Sequence, residues 1–100
     1  MRLERDIEAA FRRDGERLGA LVLKFASPGT SGVPDRIVVF PDGCVGMVEL
    51  KAPGKRPRPL QVRMFAKLER LGCPVVVIDS LAGVDAYWAR NASHLIGGAR

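Results

Sequence analysis

With 100 residues, 47% hydrophobic and 27% charged, the chain has room for one modest core and the composition of an ordinary globular domain. No apolar run approaches the roughly 20 residues needed to cross a bilayer, and Met1-Arg2-Leu3-Glu4-Arg5-Asp6 lacks a signal peptide's apolar stretch, so one cytoplasmic domain over residues 1–100 is expected. The net charge of +5 is unevenly spread: in residues 51–70 seven lysines and arginines meet one acid, Glu69, which favours a polyanion partner over a merely solvated face.

In chain order, residues 3–18 read as an amphipathic helix with Leu3, Ile7, Ala10, Phe11 and Leu18 near one stripe. Glu4 and Glu8, one turn apart, share the flank beside it. Leu21 to Phe25 is a short β-prone run, and Ser27 to Gly32 has loop composition. A hairpin follows, Arg36–Phe40 and Cys44–Leu50, with Val38, Val39, Val45 and Val48 as β-branched bulk. Ala52 to Pro59 is stiff and irregular. Leu60 to Leu71 repeats apolar residues at helical spacing, with Pro59 suited to its first turn and Gly72 to its stop. Val75–Ile78 is a continuous apolar run, as in a strand covered on both faces. Ser80 can cap a last helix carrying Leu81, Val84, Tyr87 and Trp88, and the tail from Asn91 is expected to fray. The order α-β-β-β-α-β-α predicts a compact α/β domain with a mixed sheet flanked by helices.

The informative part is the hairpin. Pro41-Asp42-Gly43 suits a type I turn closed by a left-handed glycine. If Phe40 faces Cys44 across that loop, Asp35 falls directly opposite Glu49. Facing side chains in such a pair have Cβ atoms about 4.5–5.5 Å apart, so two carboxylates there repel unless a cation lies between them. Lys51 shares the face of Glu49, because strand side chains alternate. Two acids and a lysine at one sheet edge form a metal-hydrolysis constellation. Val48 and Leu50 flank Glu49 in an apolar run, which makes an idle surface charge a poor explanation for it.

The metal type follows from what is missing. Cys44 and Cys73 are too few and scattered for a disulfide framework or zinc knuckle and read as reduced thiols packed in or near strands. The single histidine, His94, cannot build a zinc site and receives no catalytic role. An oxygen-bound hard cation, Mg2+ or Mn2+, remains. Lys55, Arg56 and Arg58, with Arg63 and Lys67 on the next helix, are placed to track a phosphate backbone, fixing register without reading bases.

Pro34-Asp35 followed by Glu49-Leu50-Lys51 resembles the signature of the PD-(D/E)XK nuclease superfamily. The longer stretches Ser31-Gly32-Val33-Pro34-Asp35-Arg36-Ile37, Val48-Glu49-Leu50-Lys51-Ala52-Pro53-Gly54 and Pro59-Leu60-Gln61 resemble its VRR-NUC family. Glu4 in a first helix, and Gly72 before the Val75–Ile78 strand, fit the same pattern. Pro41-Asp42 repeats the dipeptide but lies in the turn, with no Glu-x-Lys at hairpin distance.

The resemblance implies a restriction-endonuclease-like core and a Mg2+- or Mn2+-dependent endodeoxyribonuclease with no small-molecule cofactor. Asp35, Glu49 and Lys51 would carry the chemistry, with Gln61 at the site and Glu4 as a third acid. The metal ligands would be Asp35, Glu49, the backbone carbonyl of Leu50, and Glu4 or its rival Glu8. An ammonium beside two carboxylates keeps its proton unless a metal already offsets their charge, so Lys51 suits water positioning or transition-state stabilisation better than general-base work. The resemblance also implies a homodimer cutting branched or four-way-junction DNA in paired nicks. Two other readings are a nucleic-acid-binding module without turnover and a less selective or restriction-type nuclease. A phosphate-binding structural protein ranks behind both, since it would not need Glu-x-Lys opposite an aspartate.

Overall fold

The computed structural model describes residues 3–96. The chain runs α1 (Glu4–Arg17), β1 (Leu21–Lys24), β2 (Arg36–Val39), β3 (Val45–Leu50), α2 (Pro59–Arg70), β4 (Val75–Ile78), α3 (Leu81–Arg90) and a short 3-10 turn, Ala92–His94. This is the expected α-β-β-β-α-β-α order. The strands form one sheet in the order β1-β2-β3-β4, with β1, β2 and β3 antiparallel and β4 parallel to β3. A parallel return needs a long crossover, which the proline-rich segment and α2 supply.

Local signals explain most boundaries. The Leu3 backbone N–H donates to Asp6 at 2.8 Å, closing the start of α1. The Gly83 N–H donates to Ser80 Oγ at 2.9 Å, capping α3 as its sequence suggests. At the end of α2, Gly72 N–H bonds Glu69 O and Cys73 N–H bonds Leu68 O, a Schellman ending. In the hairpin, Phe40 N–H donates to Cys44 O at 2.8 Å and Gly43 N–H to Phe40 O at 2.9 Å. Gly43 takes φ +90°, which lets the three-residue loop close without Cβ strain. The resulting register pairs Val39 with Val45 and Arg36 with Val48, the alignment expected from the turn.

The core lies between α1, α3 and one face of the sheet. Ile7 and Phe11 of α1 meet Val22, Val38, Val48 and Leu50 from the strands, with Val84, Tyr87 and Trp88 from α3. Phe11 and Trp88 stack with centroids 4.7 Å apart, and Tyr87 stands edge-on to Trp88 at 5.1 Å. Gly15 is where this packing is tightest: a Cβ there would lie 2.5 Å from Trp88 Cζ2 and 3.0 Å from Val22 Cγ2. Glycine to alanine in a helix ordinarily gains about 0.5–1 kcal/mol. Here Gly15→Ala is expected to lose about 1–3 kcal/mol, because the stacked indole cannot retreat. A fall in the urea midpoint at unchanged m-value is the readout.

Three expectations are corrected. Val75–Ile78 is not covered on both faces: β4 is an edge strand, Val75 and Val76 are half-buried, and Val77 is 41% exposed. The helix expected from the apolar spacing forms as α2, with Met64, Phe65 and Leu68 half-buried and Leu60 and Leu71 (81%) exposed. Cys44 and Cys73 are free and exposed rather than packed, one at the hairpin exit and one after α2. The chain from Asn91 to Ile96 is docked rather than frayed: Asn91 Nδ2 donates to Tyr87 O, Leu95 is buried in the core, and Ile96 N–H donates to Leu18 O. The expectation of fraying over 97–100 falls outside the described residues. No described helix is long and apolar enough to cross a membrane.

Candidate active site

The hairpin register brings Asp35 and Glu49 together at its open end. Asp35 precedes β2 by one residue, and its backbone N–H donates to Glu49 Oε1 at 3.0 Å. In return, the Leu50 N–H donates to Asp35 Oδ1 at 3.0 Å. Each carboxylate is therefore positioned by the other's strand. The loop before Asp35 is held against α2: a Cβ on Gly32 (φ +88°) would sit 2.5 Å from Leu60 O, so only glycine allows this close approach.

Strand alternation sends Val48 and Leu50 into the core and Glu49 to the other face, toward α2. Glu49 is nevertheless only 3% exposed. Its Oε2 accepts a hydrogen bond from Gln61 Nε2 at 3.0 Å and lies 3.1 Å from Lys51 Nζ. Lys51 Nζ also donates to Gln61 Oε1 at 2.9 Å, and the Arg58 N–H donates to the same oxygen at 3.0 Å. Gln61 belongs here because Pro59 starts α2 and places it at the third helical position, where its side chain can reach back to Arg58. Glu49, Lys51 and Gln61 thus form a connected network, buried at Glu49 and Gln61 and partly exposed at Lys51, in which both side-chain polar atoms of Gln61 are used.

The second half of the site comes from α1. Carboxylate oxygens of Glu4, Glu8 and Asp35 lie within 4.8 Å of one another. Burial, reinforced by the charges of Glu49 and Glu4, pushes the Asp35 carboxyl above the usual aspartate range despite the Leu50 hydrogen bond and Arg36 nearby. Such a set of hard oxygen donors with excess negative charge fits a magnesium- or manganese-class cation.

Arg36 was not singled out from sequence, yet it partly balances this charge. It is buried, with Nη2 2.8 Å from Glu8 Oε1 and Nη1 3.1 Å from Asp35 Oδ2. Alternation could have flagged it: Arg36 shares the core face with Val38, and a guanidinium there needs acids. Glu8 is thereby tied to Arg36, whereas Glu4 makes no ion pair among the described residues. Arg36 and Glu8 also wall a groove of about 310 Å³ whose other lining includes Arg5, Arg12 and Lys24. Linear charge counting missed this groove because acids offset the arginines of α1 along the chain. On the α2 side, Lys55, Arg56, Arg58, Arg63 and Lys67 are all exposed, and none pairs with an acid among the described residues.

An aspartate and a Glu-x-Lys facing each other across a β-hairpin, in an α-β-β-β-α-β-α frame, define a protein of the PD-(D/E)XK nuclease-like class. A solved structure described as "VRR_NUC domain" superposes with a TM-score of 0.80 at 32% identity, covering 86% of this chain and 94% of that one. The chain is also 46% identical over 82 residues to "Putative nuclease p44" of Acyrthosiphon pisum secondary endosymbiont phage 1, covering 80% of this chain and 88% of that protein. No family model matches the chain. It belongs to the VRR-NUC family.

Proposed function

We propose that this protein is a divalent-metal-dependent DNA endonuclease, selective for branched or four-way-junction DNA and active as a homodimer. The observation that carries the reading is the convergence of Asp35, Glu49, Lys51 and Gln61 at the open end of the hairpin, with Glu4 alongside. Asp35, Glu49, the Leu50 carbonyl and Glu4 would hold Mg2+ or Mn2+, which when bound supplies charge neutralisation at the scissile phosphate and a more acidic water. Glu8 takes the lesser part, as the partner that holds Arg36.

The other roles belong to the chain. Lys51, clamped between Glu49 and Gln61, presents a fixed ammonium where charge develops on the reacting phosphate and orients the attacking water. Gln61 is a positioning residue that sets both Lys51 and Glu49. Arg36 keeps Asp35 and Glu8 from repelling each other out of place. Lys55, Arg56 and Arg58, with Arg63 and Lys67, bind phosphates on the α2 side, and Arg5 and Arg12 of α1 with Lys24 of β1 do so along the groove they line.

Dimerisation draws support from the unused apolar surface. Leu60, Val62 and Leu71 near α2 and Val77 on β4 are exposed, and pairing two copies would cover such residues. The deciding experiment compares end-labelled four-way junction with matched linear duplex in Mg2+, Mn2+ or EDTA, with mass measured in parallel by light scattering. Paired, metal-requiring nicks near the branch from a species of twice the chain mass are expected. Equal cutting of linear duplex would remove the structure selectivity. Binding without cutting in any metal would leave a nucleic-acid-binding module.

A further inference from the structure

Far from these acids, at the closed tip of the hairpin, a second cluster of donors comes together from distant parts of the sequence. Asp42 and Cys44 flank Gly43 in the turn, and His94 arrives from the 3-10 turn after α3. One ligand atom from each of the three lies within 4.8 Å of the others. His94 Nδ1 is 2.7 Å from Asp42 Oδ2. Strand rise puts this tip about 17 Å from the level of Asp35, so the two clusters are separate.

Each donor is held from behind. The Cys44 N–H donates to Asp42 Oδ1 at 3.0 Å, leaving Oδ2 directed at the histidine. Cys44 is fixed by the Phe40–Cys44 ladder bond that closes the hairpin. His94 is placed by the hydrogen bond of its own N–H to Asn91 O, by buried Leu95 next to it, and by its ring lying 5.5 Å from that of Phe40. All three residues are at least partly accessible, so an ion and a solvent ligand can reach them.

We propose that Asp42, Cys44 and His94 form a second metal site, for a borderline ion of the zinc class, that fastens the C-terminal segment to the hairpin tip. The expectation that a lone histidine cannot build a zinc site is corrected here, because the fold adds a thiol and a carboxylate from the turn. One thiolate, one imidazole and one carboxylate match the ligand types of zinc and cobalt and are a poor match for magnesium. Bonds of about 2.0–2.3 Å in a tetrahedron separate neighbouring donors by roughly 3.3–3.7 Å, within the spread of the present cluster. Three protein ligands leave a fourth position for water. On binding, Cys44 gives up its thiol proton to solvent, and His94 keeps its single proton on Nε2 while Nδ1 becomes the ligand. The site is independent of the nuclease reading, since none of its residues takes part in that chemistry.

The test uses the full chain, stripped of metal and held in excess Mg2+ so that the carboxylates near Asp35 are not the sites titrated. Cobalt(II) is added first, then displaced by zinc(II). One equivalent of cobalt should give tetrahedral d–d bands and a near-ultraviolet thiolate-to-cobalt charge-transfer band, both removed by zinc. Cys44→Ser and His94→Ala should abolish the charge-transfer band or the tetrahedral spectrum respectively, Asp42→Ala should weaken binding by about tenfold or more, and Cys73→Ser should change nothing. Junction cleavage in Mg2+ should persist in Cys44→Ser. Far-ultraviolet circular dichroism checks that each variant folds, which the exposure of Cys44 favours. Absence of the charge-transfer band at stoichiometric cobalt, or a band that survives Cys44→Ser and vanishes in Cys73→Ser, overturns the site and leaves a plain Asp42–His94 hydrogen bond.

Discussion

Glu49→Ala is expected to cut DNA cleavage by at least about 10³-fold, equivalent to about 4 kcal/mol of transition-state stabilisation, while leaving DNA binding intact. The carboxylate is buried between the strand end and α2, and it alone accepts from Asp35 N–H, Gln61 Nε2 and Lys51 Nζ together. Its removal takes away a proposed metal ligand and the partner that fixes the ammonium. Binding should hold or tighten, because a negative charge leaves a surface that contacts phosphates. Glu49→Gln should fail nearly as badly for a different reason. Its oxygen can still accept from Asp35 N–H, but its amide then points donors at Gln61 Nε2 and Lys51 Nζ. Relief by flipping Gln61 would turn donors toward Lys51 and Arg58 N–H, which now share its oxygen. Filter binding in Ca2+ beside cleavage in Mg2+ separates the two effects. Undiminished cleavage by Glu49→Ala would remove the proposed site.

Asp35→Asn should separate metal binding from folding. In the wild type, Mg2+ or Mn2+ at ten times its Kd is expected to stabilise the fold by about 1.4 kcal/mol, a Tm rise of roughly 6–11 °C for a chain of this size. In Asp35→Asn that shift should largely disappear, and cleavage should fall by at least about 10³-fold. The metal-free proteins should show the opposite ranking. Burial holds the Asp35 carboxyl above its ordinary range, so the folded state takes up this proton more readily than the unfolded state. The group's contribution to stability is then full below the unfolded carboxylate value and is lost as pH rises through the raised folded value. At neutral pH in chelator, Asp35→Asn should melt above the wild type, because Asn still accepts the Leu50 N–H without a charge to desolvate. Buried Arg36, losing its ion pair with Asp35, keeps Glu8 and the backbone carbonyl of residue 35 as acceptors. On acidification through the carboxylate range the difference should narrow. Thermal melts at several pH values, with and without Mn2+, read both signs. A metal-induced shift unchanged in the variant would place the cation elsewhere.

The partial use of α2 separates what periodicity can and cannot tell. The spacing of Leu60, Met64, Phe65, Leu68 and Leu71 identifies a helix, and a helix is what forms. It does not say how much of the stripe meets the sheet. That depends on β4 being an edge strand with only β3 beside it, which leaves Leu71 and Val77 exposed. Homodimer formation would use the remainder.

By itself, the sequence determined the elements, the hairpin register and the pairing of Asp35 with Glu49, because each rests on short-range rules. Pro41-Asp42-Gly43 sets the loop, the loop sets the register, and the period of two puts Lys51 beside Glu49. The tertiary structure alone decided the contacts between residues remote in the chain. It brought Glu4 and Glu8 to Asp35, made Arg36 the buried counter-charge, placed Arg5, Arg12 and Lys24 along one groove, and carried His94 to Asp42 and Cys44. No local period encodes those meetings. They follow from the way α1 and α3 pack on the sheet, where burying Phe11, Tyr87 and Trp88 sets the position of the helices and hence of every charge they carry.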